Sequence, residues 1–175
     1  MKKIVVVDFD KTLLPYDSLR YYVLSRVKIG DLRMLCYIFL RKMRFLTKKH
    51  FSYLISKHFS NTGDVTEFVN KICQDIDIRI LSKVSTYADN NDTEIILLSA
   101  SPAVYIEEVA RKIGFVGYGS HYINGKYFYL CGENKLKFIL EKYPVEKYRY
   151  IYSISDSETD LPLLSLFEKY DLLTN

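Results

Sequence analysis

The sequence predicts an α/β fold: a parallel sheet covered by helices on both faces, with an all-helical insertion after the first strand. Three features of the chain lead there. Apolar runs at 4–7, 95–98 and 150–154 have the length and the β-branched, aliphatic or aromatic content of strands buried on both faces. The stretches between them repeat apolar residues at helical spacing. Each run also stops at polar residues, Asp8 and Asp10, Ser99, and Ser155-Asp156. The carboxyl edge of an open parallel sheet is where ligands bind.

Residues 4–7 are Ile-Val-Val-Val, and the run ends at Asp8-Phe9-Asp10. Side chains alternate along an extended chain, so both carboxylates point the same way. Like charges at a buried strand end repel and resist desolvation, and Mg²⁺, a hard oxygen-seeking ion, would relieve both costs. From these residues alone, an acidic strand end that caps the next helix is an equal reading. Pro15-Tyr16-Asp17-Ser18 then breaks the pattern and offers an N-cap. Leu19, Tyr22, Val23 and Val27 follow at helical spacing up to Gly30. Asp31 can cap a second helix bearing Leu32, Leu35, Cys36, Phe39 and Met43. Its other face carries Met34, Tyr37 and Ile38, so it is apolar almost all round. Thr47 starts a third helix, with Phe51, Leu54, Ile55 and Phe59 on one side. A break at 61–63 precedes Asp64-Val65-Thr66-Glu67, a capping-box variant, and then Phe68, Val69, Ile72 and Cys73. Residues 15–74 therefore read as a small helical bundle with no strand.

From about residue 77 the character changes. A helix through Ile80, Leu81, Val84 and Ala88, ending at 90–91, leads into a strand over 94–98 that stops at Ser99. Ser101-Pro102 reads as an N-cap followed by proline at the first helical position, opening a helix that Gly114 ends. Asn124-Gly125, between strands at 118–122 and 126–130, is a hairpin signal. Leu136, Ile139, Leu140 and Tyr143 mark a helix stopped by Pro144, and the strand at 150–154 follows. Leu161-Pro162-Leu163-Leu164 opens a helix, and 171–173 form a last strand. Strand and helix alternate throughout, as a parallel sheet requires.

The totals exclude several classes. With 49% hydrophobic and 26% charged residues in 175, the chain can bury a real core, as one domain or as a core with an inserted subdomain. No stretch approaches the ~20 apolar residues of a membrane span, and the four-residue run before Asp8 is too short for a signal peptide. Cys36, Cys73 and Cys131 are scattered, which suits reduced thiols rather than a disulfide frame or a zinc site. A soluble, cytoplasmic protein is expected. Its charge is split: residues 17–60 hold ten Lys/Arg against two acids, a net of +8, whereas 61–175 hold twelve against seventeen, a net of −5. The basic half invites an anionic partner. No nucleic-acid recognition module is evident. Peripheral contact of the basic helices with anionic lipid competes with the plainer reading, a bundle helix with snorkelling cations.

Motifs sharpen the functional reading. Asp8-Phe9-Asp10-Lys11-Thr12-Leu13 resembles the first motif, D-x-D-x-T-[LV], of the haloacid dehalogenase (HAD) superfamily, with Lys11 where Gly or Ser is commoner. Leu98-Ser99-Ala100-Ser101-Pro102 is similar to the second motif of the phosphoserine-phosphatase-like branch. Gly132-Glu133-Asn134-Lys135 resembles that branch's third motif, although a lone lysine at a helix start reads by itself as a surface residue. Ser155-Asp156-Ser157-Glu158-Thr159-Asp160-Leu161-Pro162-Leu163-Leu164 resembles the fourth, [GS]-D-x-x-x-D-x-P-[ML]-L, and is the most specific match. Glu158 and Lys137 read as surface residues.

The resemblance implies a Rossmann-like core of residues 1–14 and 75–175 with a C1-type helical cap at 15–74. It implies a Mg²⁺-dependent phosphomonoester phosphatase acting through an aspartyl-phosphate, on a small-molecule substrate. Asp8 would be the nucleophile and Asp10 the general acid/base. Ser99 and Lys135 would hold the phosphate. Asp8, Asp10 (through its carbonyl) and Asp156 would hold the metal. Asp160 would order a metal-bound water or the loop, or cap the helix at Leu161. Tyr16, Asp17 and Ser18 are candidates for substrate specificity, or equally hinge and cap residues. The alternatives are a phosphatidylglycerophosphate-type lipid phosphatase at the membrane surface, a phosphotransferase or mutase, and a non-catalytic phospho-ligand-binding module.

Overall fold

β1 (Lys2–Val7) is the central strand of the computed structural model, which describes residues 1–28, 30–59, 64–88 and 92–173. Its neighbours are β2 (Thr93–Pro102) and β5 (Tyr148–Ser155), both parallel to it. Beyond β2 lie β3 (Val116–Ile123), again parallel, and the short antiparallel β4 (Lys126–Phe128); beyond β5 lies the parallel β6 (Lys169–Leu172). The order is β4-β3-β2-β1-β5-β6. Strand order reverses at β1, so the crevice beside its carboxyl end is the place such a sheet offers a ligand.

Alternation along β1 builds two cores. Val5 and Val7 join one apolar cluster, Ile4 and Val6 the other, and all four are buried. The first side is covered by α6 (Ala103–Lys112) and by the helices between β1 and β2, α5 (Ile78–Ser85) among them. The second is covered by α7 (Glu133–Lys142) and the short α8 (Leu161–Leu164). A parallel sheet covered on both faces is thus observed as expected.

The helical stretch between β1 and β2 also follows its caps. Asp17, Asp31 and Thr47 each accept a backbone N–H in the first turn of α1 (Ser18–Arg26), α2 (Leu32–Lys42) and α3 (Lys48–His58). Phe51, Ile55 and Phe59 of the third helix and its end are buried, as the spacing predicted. α4 (Thr66–Cys73) follows. The hairpin forms at Asn124-Gly125, whose φ values of 49° and 77° are those an Asn-Gly turn supplies without strain. Three of the sixteen tyrosines, Tyr53, Tyr122 and Tyr127, meet where this hairpin packs on α3. Tyr127 bonds Ser52 at 2.5 Å and Ser56 at 3.2 Å, and the Tyr122 hydroxyl donates to the Tyr53 carbonyl.

Several local expectations need correction. β2 does not stop at Ser99 but runs to Pro102, because β3 goes on pairing with it as far as Ser120. Pro102 is therefore the N-cap of α6 rather than its first residue, and Ser101 caps nothing. The Asp64 carboxylate accepts from Thr66 N–H, so the helix starts one turn-residue later than a capping box at 64–67 would place it. The first helix closes at Arg26, before Gly30, and α5 ends at Ser85 in a tighter turn over 86–88. The break at 61–63 and the helix end at 90–91 lie outside the described residues.

Lys11 has φ 59°, in the left-handed region, which costs an L-residue roughly 1–2 kcal/mol. Glycine would remove that cost while adding some disorder to the unfolded chain. Lys11→Gly is expected to stabilise the fold by about 1 kcal/mol, read as a higher denaturant midpoint with an unchanged m-value.

Candidate active site

The pairing of β1 with β5 sets Val7 opposite Ile154, and the Asp8 N–H extends it by donating to the Ile154 carbonyl at 2.9 Å. Asp8 and Asp156 are thereby carried to the same edge. Thr12, buried in the loop after β1, ties the two together. Its hydroxyl lies 3.3 Å from Asp8 Oδ2 and accepts the Asp156 N–H at 2.9 Å.

Lys135 is the centre of charge. It sits in the first turn of α7 yet is 3% exposed, and its Nζ lies 2.6 Å from Asp8 Oδ1 and 2.7 Å from Asp160 Oδ2. The surface reading of this lysine is wrong, because two buried carboxylates outweigh the helix dipole that disfavours a cation there. Gly132, with φ 55°, makes the turn into α7. Asp160 also accepts from Ser155 Oγ at 2.8 Å. Its carboxylate therefore faces the site, and it makes no capping bond to α8, contrary to the cap alternative.

Burial pushes the Asp8 carboxyl up to about 7, against the opposing pull of Lys135. Burial alone would lower the Lys135 ammonium, but Asp8 and Asp160 more than reverse this and hold it protonated. Asp10 is raised as well, by burial, against hydrogen bonds from Ser101 and Ser18.

The Asp10 carboxylate sits in a set of hydroxyls. Oδ1 accepts from the Ser18 N–H at 2.6 Å; Oδ2 accepts from Ser101 Oγ at 2.6 Å and Ser99 Oγ at 3.3 Å. Ser18 Oγ continues to Ser101 at 3.2 Å and to the buried Tyr105 hydroxyl at 3.0 Å. Ser101, Tyr105 and Thr12 were not predicted as site residues. Thr12 stands in the motif itself, and Ser101 was mistaken for a cap. Tyr105 lies on the apolar face of its helix, where no local pattern marks it.

One cavity of about 830 Å³ opens over this edge. Asp8, Asp10, Asp17, Lys135, Asp156 and Asp160 line it. Ser99 is buried behind the lining, where its Oγ also accepts the Ser101 N–H at 3.1 Å; Ala100 and Ser101 are the lining residues of that loop. Of the specificity candidates, Asp17 faces the cavity and Ser18 braces Asp10. Tyr16 points away, its hydroxyl donating to Asp75 at 2.5 Å. Glu158 is exposed and Lys137 sits on the surface near Glu133, as expected.

Among the described residues no three His, Cys, Asp or Glu side chains gather as a metal-binding group. The expected metal set has only two carboxylates and one carbonyl, and the residues fit it. Asp8 Oδ2 has only a long contact with Thr12, and the Asp156 carboxylate makes no hydrogen bond or ion pair among the described residues. Both face the cavity as hard oxygen donors.

Residues 5–165 match the family model of haloacid dehalogenase-like hydrolases. The chain belongs to that family. Its fold resembles that of a protein of unknown function from Bordetella pertussis Tohama I, at TM-score 0.71 and 18% identity, over 97% of this chain and 89% of the other. A phosphoserine phosphohydrolase-like protein from Francisella tularensis subsp. tularensis SCHU S4 is similar at TM-score 0.59 and 18% identity, over 97% and 86%. Phosphoserine phosphatase from T. onnurineus is similar at TM-score 0.51 and 15% identity, over 97% and 82%. No curated protein matches the sequence. At such identities the likeness establishes the fold of this hydrolase, and its chemistry must come from the site.

Because Asp8 is raised in the folded protein, its contribution to stability is fully present below about pH 4 and lost as the pH rises through about 7. With cations chelated, Tm of the wild type should fall relative to Asp8→Asn across that interval. Lys135→Met should cost about 3–5 kcal/mol in denaturant unfolding, since it strands two buried carboxylates.

Proposed function

We propose that the protein is a Mg²⁺-dependent phosphomonoester phosphatase acting through an aspartyl-phosphate on Asp8, with residues 15–74 as a helical cap on a core of 1–14 and 75–175. One observation carries this reading. At the switch point of the sheet, a buried aspartate faces a cavity while a buried lysine, itself anchored by Asp160, holds one of its oxygens.

Asp8 then attacks phosphorus in line with the leaving oxygen, forming the acyl phosphate, which water later hydrolyses. Lys135 neutralises nucleophile and phosphoryl charge at fixed positions, so no reorganisation is needed when charge develops. Ser99 supports the phosphate pocket from behind Ala100 and Ser101. Burial raises the Asp10 carboxyl, which favours its proton-bearing form. Its bonds to Ser18 and Ser101 fix its orientation for donating that proton to the leaving alcohol and for later activating water. Asp8, the Asp10 carbonyl and Asp156 would hold Mg²⁺, which when bound supplies the further positive charge that favours ionised Asp8 and draws charge from the phosphoryl oxygens. Asp160 keeps Lys135 in place. Asp17 is the specificity candidate that faces the substrate space.

Phosphate release from a panel of soluble phosphomonoesters, phosphoserine among them, tests the reading. Turnover should require Mg²⁺, vanish in Asp8→Asn and fall by at least about 10²-fold in Asp10→Asn. Folded protein that binds Mg²⁺ and releases phosphate from nothing would overturn it.

A further inference from the structure

α2 has two apolar faces, and the fold uses one. Met34 is fully buried, and Tyr37 and Ile38 pack partly buried against the same core. On the opposite side Leu32, Leu35, Phe39 and Met43, at helical spacing, are 46–77% exposed. Phe45, just past the helix, is 74% exposed, and Leu24 of α1 is 58% exposed. Single exposed apolar residues are ordinary, but a stripe along a whole helix marks an interaction surface. Arg33, Lys42 and Arg44 are exposed beside it, in the segment whose net charge is +8. A face of apolar and cationic side chains matches the boundary between acyl chains and anionic headgroups. No helix among the described residues is long and apolar enough to cross a membrane, so such contact would be peripheral.

The same helices wall the active-site cavity. Leu19, Val23, Leu24, Ile38 and Phe51 give it apolar lining, and Arg41 and Lys48 add positive charge. A phosphoryl group fills a small part of 830 Å³. Leu24 belongs both to the cavity wall and to the exposed apolar surface, and so connects the two.

Building on the phosphatase reading of Asp8, we propose that α2 rests on an anionic lipid surface and that the cavity takes a phosphomonoester with a hydrocarbon tail, drawn from that surface. The phosphate sits at Asp8 and Lys135, and the tail lies along Val23, Leu24 and Ile38.

Two readouts test this. The first is co-sedimentation with vesicles of phosphatidylcholine, alone and mixed with phosphatidylglycerol. The protein should bind the mixed vesicles, release with salt, and bind at least about tenfold more weakly as Leu35→Ser/Phe39→Ser, both residues being exposed and outside the cavity lining. The second is phosphate release from oleoyl lysophosphatidic acid, glycerol 3-phosphate and p-nitrophenyl phosphate. Here kcat/KM for the oleoyl substrate should exceed that for glycerol 3-phosphate by at least about tenfold. The double variant should lose turnover of the vesicle-borne substrate and keep that of p-nitrophenyl phosphate. A wild type that hydrolyses p-nitrophenyl phosphate but ignores both vesicles, or prefers glycerol 3-phosphate, overturns this inference and leaves the phosphatase standing. Hydrolysis of none of the three overturns both. Self-association that the double variant abolishes would assign the stripe to a second copy of the chain, and would also overturn it.

Discussion

The structure depends on a buried group of three charges, Asp8, Lys135 and Asp160. Two carboxylates and one ammonium cannot be taken out of water cheaply, and they hold only because Lys135 sits within 2.7 Å of both. The three come from the end of β1, the first turn of α7 and the turn after β5. Meeting that geometry fixes how those elements join. Helix α7 accepts a cation at its unfavourable end, and Gly132 takes a left-handed turn against Thr159, whose carbonyl a Cβ at that position would approach to 3.4 Å. Such an arrangement is poor economy for stability. Its use is to hold a carboxylate oxygen and a positive charge in one place, at the edge of a cavity.

A second network places Asp10. Ser18 begins α1 and Ser99 and Ser101 lie on β2; their polar atoms converge on one carboxylate, and Tyr105 of α6 joins them through the Ser18 hydroxyl. The start of the helical insertion is thereby tied to the chemistry. Its two crossings to the sheet are tied to each other as well: Tyr16 bonds Asp75, and the Asp77 N–H donates to the Leu13 carbonyl. On the far side, Tyr127 and Tyr122 hold α3 to the hairpin. The helices after β1 are thus tied to Asp10 through Ser18 and to the hairpin through Tyr127, and Leu19, Val23, Ile38 and Phe51 line the cavity.

The two active-site aspartates are two residues apart and differ in surroundings. Asp8 is paired with a cation; Asp10 is surrounded by neutral hydroxyls and a backbone N–H. Both are raised by burial. For Asp8 the compensating charge comes from Lys135, and the residual cost is what a divalent ion in the neighbouring space would relieve. For Asp10 the compensation comes from hydrogen bonds donated by Ser18 and Ser101, with no full charge among those partners. One strand end therefore offers two carboxylates in two different environments.

Much of this was legible in the chain. The strands, the hairpin and the caps at Asp17, Asp31 and Thr47 are local events, set by periodicity and by side chains two or three residues from the groups they bond. The carboxylates at 8, 10 and 156 stood out as acids at buried strand ends, but from those residues alone Asp8 and Asp10 read equally as a helix cap; the order of residues in the first and fourth motifs tipped the reading. Long-range partnership was not legible. By local pattern alone Ser101 reads as a cap, Asp160 as a cap in part and Lys135 as a surface residue, since the partners that decide them lie 91, 25 and 127 residues away. Periodicity likewise showed that α2 is apolar all round, but not which face would find a core. That choice belongs to the tertiary structure, because a helix has no memory of its neighbours until they pack against it.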